Sequence, residues 1–145
     1  MIRILIADDH KLFRRGLRQT IEDAEGLMVE DEASNGAEVL TKIAQKFYNV
    51  VVLDISMPGS NGLDILKQIR DSSPKTAVLM LSMHSEEQFA VRAFKAGASG
   101  YLTKESDEEE IIRAIRKASQ GGRYVTPDLA EKLAEAVSTG PGRAP

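Results

Sequence analysis

The chain has no cysteine and no tryptophan, and aromatic residues make up only 5% of its 145 positions. Without cysteine there is no disulfide framework, no thiolate metal site and no cysteine nucleophile. That absence fits a reducing compartment, and a cytoplasmic location is expected. Histidine is scarce as well. His10 and His84 are the only two, which with no cysteine disfavours zinc. No apolar run approaches the roughly 18 residues of a membrane span. The opening Met1-Ile2-Arg3-Ile4-Leu5-Ile6-Ala7 runs straight into Asp8-Asp9 and lacks the shape of a signal peptide. Basic excess is also missing. The formal net charge is -3, which argues against a nucleic-acid-binding surface. Arg14, Arg15 and Arg18 cluster locally and read as a solvated helix face.

With 42% hydrophobic and 28% charged residues, the chain has the make-up of one ordinary globular domain with a little left over. Short apolar runs alternate with helical patterns. Ile2 to Ala7 is a β-branched run ending at two aspartates. Phe13, Leu17 and Ile21 then form a helical stripe within His10 to Ala24. Leu27 to Ala33 is a second, less apolar strand, expected nearer an edge. Ala37, Leu40, Ala44 and Phe47 mark the next helix. Val50-Val51-Val52-Leu53 is the clearest strand and ends at Asp54. A Gly- and Pro-bearing loop over 57–62 follows, and Leu63, Leu66 and Ile69 mark a third helix. Ala77 to Leu81 closes at Ser82. A capping box at Ser85-Glu86-Glu87-Gln88 opens a fourth helix that stops at Gly97. Tyr101-Leu102-Thr103 closes at Lys104. A second box at Ser106-Asp107-Glu108-Glu109 opens a fifth helix with Ile111, Ile112 and Ile115 inside. Thr126-Pro127 reads as the N-cap and first residue of a short sixth helix carrying Leu129, Leu133 and Val137. The Gly- and Pro-rich stretch from Ser138 reads as linker. Five β-α units with continuous apolar strands predict a parallel sheet covered on both faces. The periodicity does not contain the strand order.

The polar residues of interest sit at C-terminal strand ends: Asp8 and Asp9, Asp54, Ser82, and Lys104. In open α/β sheets those ends form the ligand crevice where strand order reverses. If the first and third strands are neighbours, three carboxylates converge and repel, and protonation or a cation must relieve them. Magnesium takes one or two carboxylates together with phosphate oxygens, so the site suits a phosphate-bearing substrate. An aspartate attacking phosphorus forms an aspartyl-phosphate. Lys104 and Ser82 could steady the transferring group. Each residue alone has a plainer reading: Asp9 as a helix cap, Asp54 as a turn residue, Lys104 as a solvated lysine, His84 as an exposed loop histidine. Their joint placement at successive strand ends carries the argument.

At these residues the chain resembles the response-regulator receiver family of bacterial two-component signalling. The segments that carry the likeness are Ile4-Leu5-Ile6-Ala7-Asp8-Asp9-His10, Val52-Leu53-Asp54-Ile55-Ser56-Met57-Pro58-Gly59, Leu81-Ser82, Ala96-Gly97-Ala98 and Gly100-Tyr101-Leu102-Thr103-Lys104. Together they span Met1 to about Gly122. The resemblance implies a flavodoxin-like, doubly wound parallel sheet of order 2-1-3-4-5 with five helices, to which the short sixth is added. It implies Asp54 as phosphoacceptor, with Mg2+ on Asp8, Asp9, Asp54 and the main-chain carbonyl of Ser56. Lys104 would pair with the phosphoryl group, and Ser82 and Tyr101 would be the switch pair. A histidine kinase would be the donor, and the chain would assist its own phosphorylation and dephosphorylation without being a turnover enzyme. Homodimer formation on phosphorylation is expected from the same source.

Asp8-Asp9-His10 and Gly121-Gly122-Arg123-Tyr124-Val125-Thr126-Pro127 resemble the branch with a helix-turn-helix output domain, named for nitrate and nitrogen-fixation regulators. Residues 1–122 are therefore expected to be the receiver and 123–145 a linker toward an output domain absent from this chain, through which alone DNA would be bound. One position departs from the family. Glu105 follows Lys104 where many receivers have proline, often cis, and a cis bond before a non-proline residue costs about 2.5–4 kcal/mol. Three rival readings are a magnesium-dependent phosphohydrolase, a flavin mononucleotide protein and a stand-alone receiver. The first would favour an aspartate where Ser56 stands, and the acidic first strand end would repel the flavin phosphate.

Overall fold

The computed structural model describes residues 1–59, 61–83 and 87–138. Ser60, His84, the capping pattern opening at Ser85, the side chain of Val137 and the tail from 139 onward lie outside the described residues.

Five parallel strands form one sheet: β1 (Ile2–Ala7), β2 (Leu27–Ala33), β3 (Val50–Asp54), β4 (Ala77–Ser82) and β5 (Gly100–Thr103), in the order β2-β1-β3-β4-β5. Every residue of β3 and β4 is buried, as expected of strands covered on both faces. The more polar β2 is indeed an edge strand. Its pairing with β1 shifts register between Ile4 and Leu5. The connecting helices are α1 (Lys11–Glu22), α2 (Gly36–Gln45), α3 (Gly62–Ser72), α4 (Glu87–Lys95) and α5 (Glu108–Ser119), with α6 (Pro127–Ser138) following. Among the described residues no helix is long and apolar enough to cross a membrane.

The two-residue period of the strands divides the core into two layers. Leu5, Val51, Leu53, Val78, Met80 and Tyr101 face α2, α3, α4 and α6. Ile4, Ile6, Val52, Leu79, Leu81 and Leu102 face α1 and α5. A Cβ at Gly100 would stand 2.6 Å from the Leu79 Cδ2 methyl, which would have to shift, and 3.3 Å from the Tyr124 carbonyl oxygen.

Three local expectations are corrected. α2 ends at Gln45, and its buried face is Gly36, Val39 and Ile43. Ala37, Ala44 and Phe47 are exposed, Leu40 is half-buried, and the buried aromatic is Tyr48, whose hydroxyl donates to Asp31. The cap of α5 is Asp107, not Ser106: its carboxylate accepts from the Glu110 N–H at 2.8 Å. Nor is the basic cluster of α1 simply solvated. Arg14 and Arg18 both pair with Glu32 of β2, while Arg15 is exposed. The N-cap of α6 is as expected, with Thr126 Oγ1 accepting from the Leu129 N–H at 3.3 Å.

Candidate functional site

β1 and β3 are neighbours, and their apolar rows stop together. Asp8 follows Ala7, and Asp54 is the last residue of β3, so both carboxylates emerge at the same sheet edge. Both are buried. Strand alternation places Asp8, Asp54 and Lys104 in line with Ile6, Val52 and Leu102, on the α1 and α5 side. Ser82 falls in line with Met80, on the α4 side with Tyr101.

Lys104 is drawn into this edge. Its main-chain N–H donates to the Ser82 carbonyl at 2.7 Å. Its Nζ stands 2.8 Å from Asp8 Oδ2 and 3.5 Å from Asp54 Oδ2, with a side chain 6% exposed. The ammonium also lies over the Phe13 ring, 4.6 Å from its centroid. The peptide bond to Glu105 is trans, like every described bond.

The two oxygens of Asp54 are not equivalent. Oδ1 accepts from the Ser56 N–H at 3.1 Å and the Ser56 hydroxyl at 3.0 Å. Among the described residues Oδ2 accepts no hydrogen bond, nor does Asp9 Oδ1, and both atoms are shielded from water. Lys104 thus forms a close ion pair with Asp8 and reaches Asp54 Oδ2 only at longer range. Three carboxylates face a single ammonium. Orphaned buried oxygens next to uncompensated charge suit a hard divalent cation. Ligand atoms of Asp8, Asp9, His10 and Asp54 all lie within 4.8 Å of one another.

Four further contacts join the site that the strand-end pattern does not contain. Arg14 Nη1 donates to the Asp8 carbonyl at 2.6 Å, Phe13 carries the Lys104 ammonium, Ser56 Oγ binds Asp54, and His10 Nδ1 lies 3.0 Å from Lys104 Nζ. The last joins residues 94 apart in the chain. Asp9 does not cap α1, whose N-cap residue is His10. Ser82 is buried at the end of β4, and Tyr101 is buried opposite Met80, its ring 6.2 Å from that of Phe89.

The strand order and the acidic crevice at the C-terminal strand ends define a doubly wound α/β domain of the flavodoxin-like type. The model of the response regulator receiver domain matches residues 4–116, and the chain belongs to that family. Response regulator UvrY of Escherichia coli K12 is 37% identical over 134 residues, covering 92% of this chain and 62% of that protein. A LuxR-family two-component response regulator from Aurantimonas sp. SI85-9A1 superposes with a TM-score of 0.85 at 37% identity, covering 94% of this chain and 97% of that one. A response regulator from Burkholderia pseudomallei, solved with a phosphorylated aspartic acid, calcium ion and citrate, gives a TM-score of 0.73 at 25% identity, covering 97% of this chain and 76% of that one. The chain spans about 62% of the length of the UvrY relatives it matches.

Proposed function

We propose that this receiver domain of a two-component response regulator accepts a phosphoryl group on Asp54 Oδ2. The observation that carries the proposal is Asp54 Oδ2, which accepts no hydrogen bond from the described residues and faces Lys104 among Asp8 and Asp9. Ser56 holds Oδ1 and leaves Oδ2 as the attacking oxygen. A two-component receiver implies a histidine kinase partner. The new O–P bond forms as the P–N bond of the kinase phosphohistidine breaks, and the histidine leaves with its electron pair.

Asp8, Asp9, Asp54 and the main-chain carbonyl of Ser56 would hold Mg2+, which supplies charge neutralisation to the transferring group when bound. The Lys104 ammonium then turns from Asp8 toward a phosphoryl oxygen, a move of charge that needs no proton transfer. The Ser82 hydroxyl donates a hydrogen bond to another phosphoryl oxygen, and the Tyr101 ring follows it on the α4 side of the sheet. Only differential affinity of the phosphoryl group for the two arrangements can shift the population. The phosphorylated aspartate and calcium ion of the Burkholderia relative support this reading.

At larger scale we read residues 1–122 as the receiver and 123–145 as the linker toward a DNA-binding output domain, in a cytoplasmic, phosphorylation-dependent homodimer. The same site would assist loss of the phosphoryl group by hydrolysis. The decisive experiment is acetyl phosphate with and without Mg2+, read by intact mass and size-exclusion chromatography. The expected result is a Mg2+-dependent phosphoryl adduct, absent in Asp54→Asn, together with a shift to dimer. A folded wild type that gains no adduct would overturn the assignment of Asp54. An adduct without a size change would overturn dimerisation as the output of this chain.

A further inference from the structure

We infer that His10 is a fourth side-chain donor of the cation site, beside Asp8, Asp9 and Asp54, and biases it toward divalent transition cations relative to magnesium. The inference rests on the reading of Asp8, Asp9 and Asp54 as a cation site. His10 Nδ1 stands 3.3 Å from Asp8 Oδ1, 3.5 Å from Asp9 Oδ1 and 3.0 Å from Lys104 Nζ. These three contacts conflict. With a proton on Nδ1, the nitrogen can donate to a carboxylate, but it has no lone pair for the ammonium beside it. Without that proton, it accepts from Lys104 while its lone pair faces two anionic oxygens. A divalent cation held by Asp8, Asp9, Asp54 and His10 resolves both cases, because it takes the Nδ1 lone pair and the carboxylate oxygens at once and displaces the Lys104 ammonium from them.

The surroundings favour that role. The His10 main-chain N–H donates to Asp8 Oδ1 at 2.8 Å, which pins the residue beside the carboxylates. His10 is the N-cap residue of α1 yet makes no side-chain cap bond, so its ring is not committed to the helix. The side chain is 56% exposed and has room to turn. Adjacent donors around an octahedral ion at about 2.1 Å stand about 3 Å apart, and the Nδ1 separations from Asp8 and Asp9 lie near that value. Magnesium prefers oxygen donors and keeps several waters, so an imidazole adds little for it. For later divalent metals, imidazole is a favoured ligand.

The test titrates the full chain with Co2+ and Mg2+ by calorimetry, in wild type, His10→Gln and Asp9→Asn. The expected result is that His10→Gln lowers Co2+ affinity by roughly tenfold or more and Mg2+ affinity by less than about twofold. A second readout is the exchangeable, strongly shifted proton line that a Co2+-bound imidazole N–H gives in NMR. Wild type should show one such line and His10→Gln none, with His84 unchanged in both. Circular dichroism checks that each variant is folded. If wild type binds both cations with no shifted line and His10→Gln keeps the Co2+ to Mg2+ ratio, the His10 inference is overturned and the cation site stands. If wild type binds neither cation, the reading of the carboxylates falls and takes the inference with it. Loss of both cations in Asp9→Asn ties the measured binding to this site.

Discussion

Tyr48 shows how one residue can carry a pH dependence that its sequence neighbours hide. Its side chain is fully buried, and its hydroxyl donates to the Asp31 carboxylate at the edge strand. Burial, then Asp31, pushes the phenol well above its usual 10. The Tyr48 hydroxyl holds Asp31 below its usual 3.8, with Lys46 adding to the effect. The two signs differ. A raised tyrosine stabilises fully below pH 10, and that stability is lost as pH climbs toward the folded-state value. A lowered aspartate stabilises above pH 3.8, and that contribution is lost as pH falls through its folded-state value. Tyr48→Phe is therefore expected to cost about 1 kcal/mol near neutrality and to flatten both the acid and alkaline limbs. Urea unfolding across pH measures this. Unchanged limbs in the variant would remove the pair as their source.

At the scale of elements, α6 tests whether the receiver ends with α5. Leu129 is buried in the core layer that also contains Ala90, Phe94 and Tyr101, and α6 packs on α4. A cavity of about 210 Å³ lies beside it, lined among others by Tyr101, Glu110, Thr126 and Leu129. The helix thus covers the face that carries the proposed switch tyrosine. Leu129→Ala is expected to cost about 2 kcal/mol. The loss should fall first on α6, whose described packing is against α4. Hydrogen exchange should show protection lost over 127–138 and retained in β3 and β4. Equal loss throughout would make α6 an integral part of the receiver and move the domain boundary past it.

For the whole molecule, the acidic crevice works against the fold that builds it. Asp8 and Asp54 are buried together, Asp54 Oδ2 accepts no hydrogen bond from the described residues, and one lysine faces both carboxylates. Asp54→Asn removes one charge and keeps the shape. It is expected to raise stability by about 1 kcal/mol in the absence of divalent cation. Mg2+ should reverse the order, because a ligand at a hundredfold excess over its Kd stabilises the folded wild type by about 2.7 kcal/mol. Thermal melts of both proteins with EDTA and with Mg2+ measure the crossing. A wild type that gains nothing from Mg2+ would contradict the cation site.

The sequence by itself determined the element types, the buried strands and the list of residues at the strand ends. Apolar runs that stop at Asp8, Asp54, Ser82 and Lys104 are local signals, and a strand carries whatever follows its last apolar residue to the sheet edge. The strand order was legible only through the family resemblance, since periodicity says nothing about neighbours. Helix faces were less legible. α2 presents Gly36, Val39 and Ile43 inward because the sheet beneath it sets its rotation, whereas the sequence pattern pointed to the stripe Ala37, Leu40, Ala44 and Phe47. Asp107, not Ser106, caps α5, because the helix begins at Glu108 and the Asp107 carboxylate reaches the Glu110 N–H. Only the tertiary structure decided that His10 and Phe13 meet Lys104 and that Arg14 and Arg18 reach Glu32. Such contacts cross long stretches of chain, and their energy depends on distance in space, which no local pattern of residues encodes.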